Sequence, residues 1–329
     1  MRDKELRRRE AQEIEPPVSR NQYPETMTFE KTVAVVLAGG NKKFSFKEFW
    51  HQLEDLFTYR EWYFRRGYKS LKKIRATWEG GGKPRPMVEY ILKTLSRTME
   101  IDRVVVIGPE REIREKIDPD LLSEAGKIRI FDQKESFGQN VKEGYKRAEE
   151  KYVLFVTADS PTTREEDVSE FLGICRGLRD EYDWIYPIVK ESLLRRYYRL
   201  FPRPFFKLVP DNIIPEDYID REDIREDGRV GFRITSMTFA NLEKVPAERI
   251  DEAYNLRKLY RKSSRERLKT IFGKRLFRRY WQGLKMSELE RIVSGYEGLS
   301  LKFVGLRGAG TSLDLDSWRD ERRFSRLRL

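Results

Sequence analysis

The chain has 329 residues, 39% of them apolar and 37% charged, with a formal net charge of +12. Its single cysteine, Cys175, excludes an internal disulfide and a thiolate zinc cluster, and its single histidine, His51, has no nucleophile motif near it, so triad chemistry is not expected. No apolar run approaches the roughly 18 residues of a spanning helix, and the N-terminal "MRDKELRRREAQEIEPP" lacks the apolar core of a secretory signal. The expectation is a cytoplasmic protein whose positive charge suits nucleotides, other polyanions or an anionic surface.

In chain order, residues 1–29 read as a charged tail. "KTVAVVLAGG", 31–40, is a buried strand ending in a glycine pair. An aromatic and basic stretch, 41–82, follows; it contains His51, read as a packing or surface residue. "RPMVEYILKTLSRT", 85–98, spaces Met87, Val88, Ile91, Leu92 and Leu95 as a helix does. "DRVVVIGP" and "KIRIFD" are two more strands, and "GQNVKEGYKRAEE", 138–150, is a helix. "YVLFVTAD" is the fourth strand. A helix is predicted from Thr163, with Glu166 completing a capping box, and "DWIYPIV", 183–189, is the fifth strand.

Strands and helices alternate, and the strands are apolar along their whole length. That pattern predicts an α/β, Rossmann-like, mostly parallel sheet covered on both faces by helices. Residues 30–245 and 299–322 are assigned to this core, 246–298 to a basic helical insertion and 323–329 to a basic tail. From Arg257 to Arg291 there are thirteen Lys or Arg against three Glu. This block suits a solvated helical subdomain, a polyanion, or peripheral contact with an anionic membrane. No helix-turn-helix, RNA-recognition or zinc-finger signature accompanies it, so nucleic acid is not expected as a partner.

Ligands of open parallel sheets bind outside the carboxyl ends of the strands. Two candidate groups stand there: the Leu37–Gly40 turn, whose backbone N–H groups can face phosphates, and Asp159, a carboxylate suited to Mg²⁺. The bland alternatives are an ordinary glycine turn and a carboxylate capping the turn before Pro161. Further on, "GTSLDLDSWRDE" follows the strand "LKFVGLR" and carries Asp314 and Asp316. Alternate residues of an extended segment share one side, so both can face the same way.

"VAVVLAGG", "YKSLKKI", "RPMVEYILKTL", "IDRVVVIGP", "YVLFVTADSP", "YPIV" and "SLDLDSWRDE" come in an order that resembles the nucleotidyltransferases of GT-A fold. The resemblance is to the molybdenum-cofactor-guanylyltransferase-like and sugar-1-phosphate-nucleotidylyltransferase-like superfamily, over residues 30–240 and 300–320. It implies Mg²⁺-dependent transfer of NMP from an NTP to a phosphorylated acceptor, with release of pyrophosphate. Leu37, Ala38, Gly39 and Gly40 would line the nucleotide, and Gln139 and Asn140 would touch base or ribose. Asp159 would be one metal ligand, with Asp316 the second and Asp314 its alternative. The active-site lysine would be Lys69, with Lys83 as the alternative. Arg233, Thr235 and Ser236, in "FRITSMTFAN", replace the glycines of the family's acceptor motif. The loop after the glycine pair, "NKKFSFKEF", also departs from the family: it offers Lys42 and Lys43 but no arginine. The Asp-x-Asp of nucleotide-sugar glycosyltransferases is replaced by Thr157-Ala158-Asp159, which disfavours that rival. A non-catalytic polyanion-binding protein is the remaining one.

Overall fold

The computed structural model describes residues 31–39, 68–75, 83–123, 126–198, 205–211, 216–259 and 273–315. Gly40, Asp316, His51, Lys42, Lys43, both tails and 260–272 lie outside the described residues.

The first strand, β1 (Thr32–Leu37), leads after the described gap to a hairpin of β2 (Lys73–Ile74) and β3 (Arg85–Pro86), then to helix α1 (Met87–Arg97). β4 (Ile101–Gly108) is followed by the short helices α2 (Glu110–Lys116) and α3 (Pro119–Ser123). Next come β5 (Ile128–Asp132), α4 (Phe137–Ala148), β6 (Val153–Thr157), α5 (Glu165–Leu178), β7 (Trp184–Lys190) and α6 (Glu191–Tyr198). Three short strands follow: β8 (Phe206–Leu208), β9 (Val230–Ile234) and β10 (Met237–Ala240). α7 (Ala247–Leu259), α8 (Gly273–Gly283), α9 (Met286–Glu297) and β11 (Leu301–Gly305) complete the order.

The main sheet runs β5-β4-β1-β6-β10-β7-β9-β8, with β11 on the other edge of β7. β1, β4, β5 and β6 pair in parallel, as do β7 and β11, so the sheet is mostly parallel. β9 and β10 run against their neighbours. Alternate strand residues sort the core into two faces. Ala34, Val36, Val104, Val106 and Leu154 meet α1 and α5 on one face. Val33, Val35, Val105 and Phe155 meet α4 and α7 on the other. On that second face, Ile188, Phe232 and Phe303 pack against Tyr280, Leu284 and Met286 of the α8–α9 region. The basic helices are therefore fastened to the sheet by a buried apolar stripe. Among the described residues no helix is long and apolar enough to cross a membrane.

Two expectations need correction. The helix after β6 starts at Glu165, not Thr163, because the Thr163 hydroxyl is spent on the Ser160 carbonyl at 2.9 Å. The carboxylate that closes its first turn belongs to Asp167, not Glu166; it accepts the Arg164 N–H at 3.1 Å. The sequence also does not predict the short antiparallel strands β8, β9 and β10, of which β10 pairs with β6 and β7 and β9 with β7 and β8. These strands are three to five residues long, and their pairing partners are distant in sequence.

Candidate active site

β1, β4, β5, β6 and β7 all end on one rim. In the β1–β6 ladder Leu37 stands opposite Thr157, so Gly39 and Asp159 follow on neighbouring strand ends. The Ala38 N–H donates to Ile107 O at 2.9 Å and the Ala158 N–H to Leu37 O at 3.3 Å, which fixes the two exits. A Cβ on Gly39 would come within 2.7 Å of Gln133 Oε1 and 3.7 Å of Asn140 Nδ2. These two amides therefore form the wall over the glycine turn. Asn140 Oδ1 also accepts the Lys134 N–H at 2.6 Å, holding the loop after β5. Gln139, grouped with Asn140 from the sequence, instead closes a capping box with Ser136 at the start of α4. Asp251 of α7 binds the same helix end, accepting from the Ser136 hydroxyl and from the Gly138 N–H at 2.7 Å.

Lys69 and Asp159, ninety positions apart, form an ion pair of 3.0 Å. The lysine is placed by the short helical turn Lys69–Leu71, whose Ser70 hydroxyl donates to the Ala38 carbonyl at 2.6 Å. The turn is thereby tied to the glycine exit itself. The Thr157 hydroxyl donates to the other oxygen of Asp159. Lys83 is exposed on the approach to β3, so of the two candidate lysines it is Lys69 that reaches the carboxylate.

The segment after β11 closes the opposite wall. Its 3₁₀ turn, Gly310–Ser312, accepts the Thr162 hydroxyl on Gly310 O at 2.7 Å, and the Leu315 N–H reaches Asp159 O at 2.8 Å. Leu313 and Leu315 are buried, leaving Asp314 on the opposite side, where it pairs with Arg233. Arg233 thus braces this segment from β9. The Thr235 hydroxyl accepts the Met237 N–H at 3.2 Å within the β9–β10 connection. The connection itself is stitched in by Thr157 N–H to Ser236 O and Ser236 N–H to Thr311 O, both 2.9 Å. The side-chain hydroxyls of Ser160, Ser236, Thr311 and Ser312 are buried with no hydrogen-bond partner among the described residues. They are the uncommitted hydrogen-bonding capacity of this wall.

Three residues of the site were not singled out from the sequence. Ser70 lies in an ordinary basic stretch, and Gln133, although it follows the predicted strand KIRIFD, is a neutral amide with no motif around it. Lys190 could have been noticed, because it closes the apolar run of β7 at the same rim. Burial pulls its pKa down, but hydrogen bonds to Asp220 and Asp223 outweigh this and raise it.

Asp167 lies beneath the same C-terminal segment: a Cβ on Gly308 would stand 1.5 Å from its Oδ1. Burial pushes its carboxyl up to about 6, only partly offset by the Arg164 N–H and the Arg164 charge. Glu170, which accepts the Arg307 N–H at 3.3 Å, is also raised by burial. A carboxyl raised on folding binds its proton more tightly in the native state. Its stabilising contribution is complete below the unfolded value and disappears as pH rises to about 6. Asp167→Asn should remove this dependence. Between about pH 3 and pH 8 the variant's unfolding free energy should gain roughly 2–3 kcal/mol on wild type, read from denaturant melts at each pH. Parallel pH profiles for the two proteins would contradict the assignment.

The sequence matches no protein-family model and no curated protein. Among solved structures, the chain is similar to a hypothetical transferase from Thermus thermophilus, with a TM-score of 0.59 and 20% identity over 88% of this chain and 99% of that one. What the two share is the fold. More distant likenesses are to the 4-diphosphocytidyl-2C-methyl-D-erythritol synthase of Anaerococcus prevotii (TM-score 0.44, 16% identity, 90% of this chain and 96% of that one). A CMP:2-keto-3-deoxy-manno-octonic acid synthetase complexed with CTP scores 0.44 as well, at 12% identity over 90% of this chain and 98% of that one.

Proposed function

We propose that this protein is a nucleotidyltransferase that moves NMP from an NTP to a phosphorylated acceptor and releases pyrophosphate. The observation that carries this reading is the meeting of Lys69, Asp159 and the glycine turn at adjacent strand ends. The lysine and the carboxylate come from segments with no local reason to meet.

The donor set fits a hard divalent cation. Asp159 offers carboxylate oxygens beside the Thr157 hydroxyl, and Mg²⁺ is commonly held by one or two carboxylates together with substrate phosphates. Asp314 is engaged by Arg233, and Asp316, two residues on, is the second ligand in this reading. Bound Mg²⁺ would supply Lewis-acid neutralisation of the phosphate oxygens.

The chain's own residues then do the following. Leu37 and Ala38 fix the exit through their own backbone bonds, Gly39 presents backbone to the nucleotide, and Gln133 and Asn140 flank its base or ribose. Lys69 leaves Asp159 when the triphosphate enters and balances charge developing on its oxygens. The acceptor phosphate is already an anion at neutral pH, so its in-line attack needs positioning rather than a general base. This accords with a chain that has one histidine. Among the acceptor candidates, Arg233 and Thr235 shape the wall, and the Ser236 hydroxyl lies buried within it.

Pyrophosphate release should be measured with each of the four common NTPs and Mg²⁺ against a panel of sugar and polyol phosphates. One NTP and acceptor class should turn over. If no pair turns over and no NTP raises the melting temperature, the reading fails.

A further inference from the structure

Lys190 is a buried cation with no part in the proposed transfer chemistry. It is 7% exposed, ends β7, and donates to Asp220 and to Asp223, the latter at 2.8 Å. Its ammonium also lies 5.6 Å from the centre of the Tyr218 ring. A cavity of about 230 Å³ opens beside it, lined by Lys190, Leu193, Asp217, Tyr218, Asp220 and Arg307.

The strand register locates this cavity relative to Asp159. Val153 of β6 pairs with Ala240 of β10, which pairs with Trp184 of β7. Asp159 lies just beyond the end of β6 and Lys190 ends β7, so both stand on the same rim, with β10 between their strands. Two strand spacings, about 10 Å, separate β6 from β7. Thr157 and Lys190 also fall on the same sheet face by the two-residue alternation, and the Thr157 hydroxyl holds the Asp159 carboxylate. A sugar or polyol phosphate is about this long.

The charges of the cavity say which part of such a molecule it suits. Lys190 is balanced by Asp220 and Asp223, and Arg307 pairs with Asp217 at 2.8 Å. With its cations balanced, the cavity has little to attract a phosphate. It does offer carboxylate oxygens that accept from hydroxyl groups, ammonium and guanidinium groups that donate to them, and the apolar surfaces of Leu193 and Tyr218 for the carbon skeleton. Volume, donors and acceptors all match a polyhydroxylated body.

We propose that the cavity at the end of β7 is the subsite for the polyhydroxyl portion of the acceptor, a sugar or polyol, whose phosphate lies toward Asp159. This rests on the transferase reading.

The test uses unphosphorylated probes and no turnover. Saturation-transfer NMR is recorded on the full chain with glucose, mannose, ribitol, erythritol and myo-inositol, and the melting temperature is measured with and without NTP on the same samples. At least one polyol should receive transfer. In Arg307→Ala and Asp217→Asn, which alter exposed side chains and leave the Lys190 cluster intact, its affinity should fall about tenfold. Inorganic phosphate should not displace it. The proposal is overturned if no polyol receives transfer, if both variants bind as wild type does, or if phosphate competes. The NTP melting shift reports separately on the nucleotide site, so its loss alone would implicate the transferase reading instead.

Discussion

Asp159→Asn should cut pyrophosphate release by at least about a hundred- to a thousandfold, the usual effect of deleting one electrostatic contact to a reacting phosphate or oxyanion. The substitution keeps a group that can still bond to Thr157 and removes the charge that Lys69 pairs with and that the proposed divalent cation would require. Stability should change by less than about 1 kcal/mol, because the Lys69 and Asp159 side chains are 28% and 31% exposed and water screens such pairs. Lys69→Met should also slow turnover, but it should act on the metal in the opposite direction. With the competing ammonium gone, Asp159 should bind Mg²⁺ more tightly, which a thermal-shift titration without NTP would show. Activity within tenfold of wild type in Asp159→Asn, or no tightening in Lys69→Met, would remove both residues from the proposed chemistry.

Gly310→Ala should cost about 1–3 kcal/mol of stability, the range for forcing an added methyl into a filled site. The new Cβ would stand 2.2 Å from the Thr162 carbonyl oxygen and 3.1 Å from Asp167 Oδ2. One of these neighbours is backbone, so the 3₁₀ turn must move. That turn precedes Asp314, which Arg233 holds, and Leu315, which bonds to Asp159 O. The expected result is a lowered melting temperature together with a fall in kcat larger than any rise in KM for NTP. Gly295→Ala is the control. Gly295 lies within α9 with nothing within 4 Å of the added atom, and there alanine should stabilise the helix by up to about 1 kcal/mol. Equal effects from the two substitutions would show that the turn has room and that its placement is not critical.

How much of this was legible in the sequence depended on whether the cause was local. The continuous apolar runs of β1, β4 and β6 announced strands buried on both faces, because a strand needs such a run only when helices cover both sides. Gly39 and Asp159 could be singled out because each directly follows one of those runs, and the carboxyl end of a parallel strand faces the ligand crevice. Lys69 came from the resemblance, not from spacing, and the resemblance left Lys83 open beside it.

Other features had no local cause. β10 sits between β6 and β7 through pairings that no short window contains. Gln139 and Asn140 are neighbours in sequence, yet one caps its own helix and the other faces Gly39, because successive helical residues point about 100° apart. Arg233 had been grouped with the acceptor residues, and only its approach across 81 positions to Asp314 shows it as a brace.

The sequence by itself determined the class of fold and the two strand ends that carry Gly39 and Asp159, since these follow from apolar runs and residue types. Tertiary structure alone decided which lysine meets Asp159, that Asp314 is engaged by Arg233, and that Lys190 ends β7 on the same rim as Asp159. Each of these is a contact or alignment between segments far apart in the chain. Such meetings are set by the register of the sheet and the packing of its connections, which no stretch of residues encodes alone.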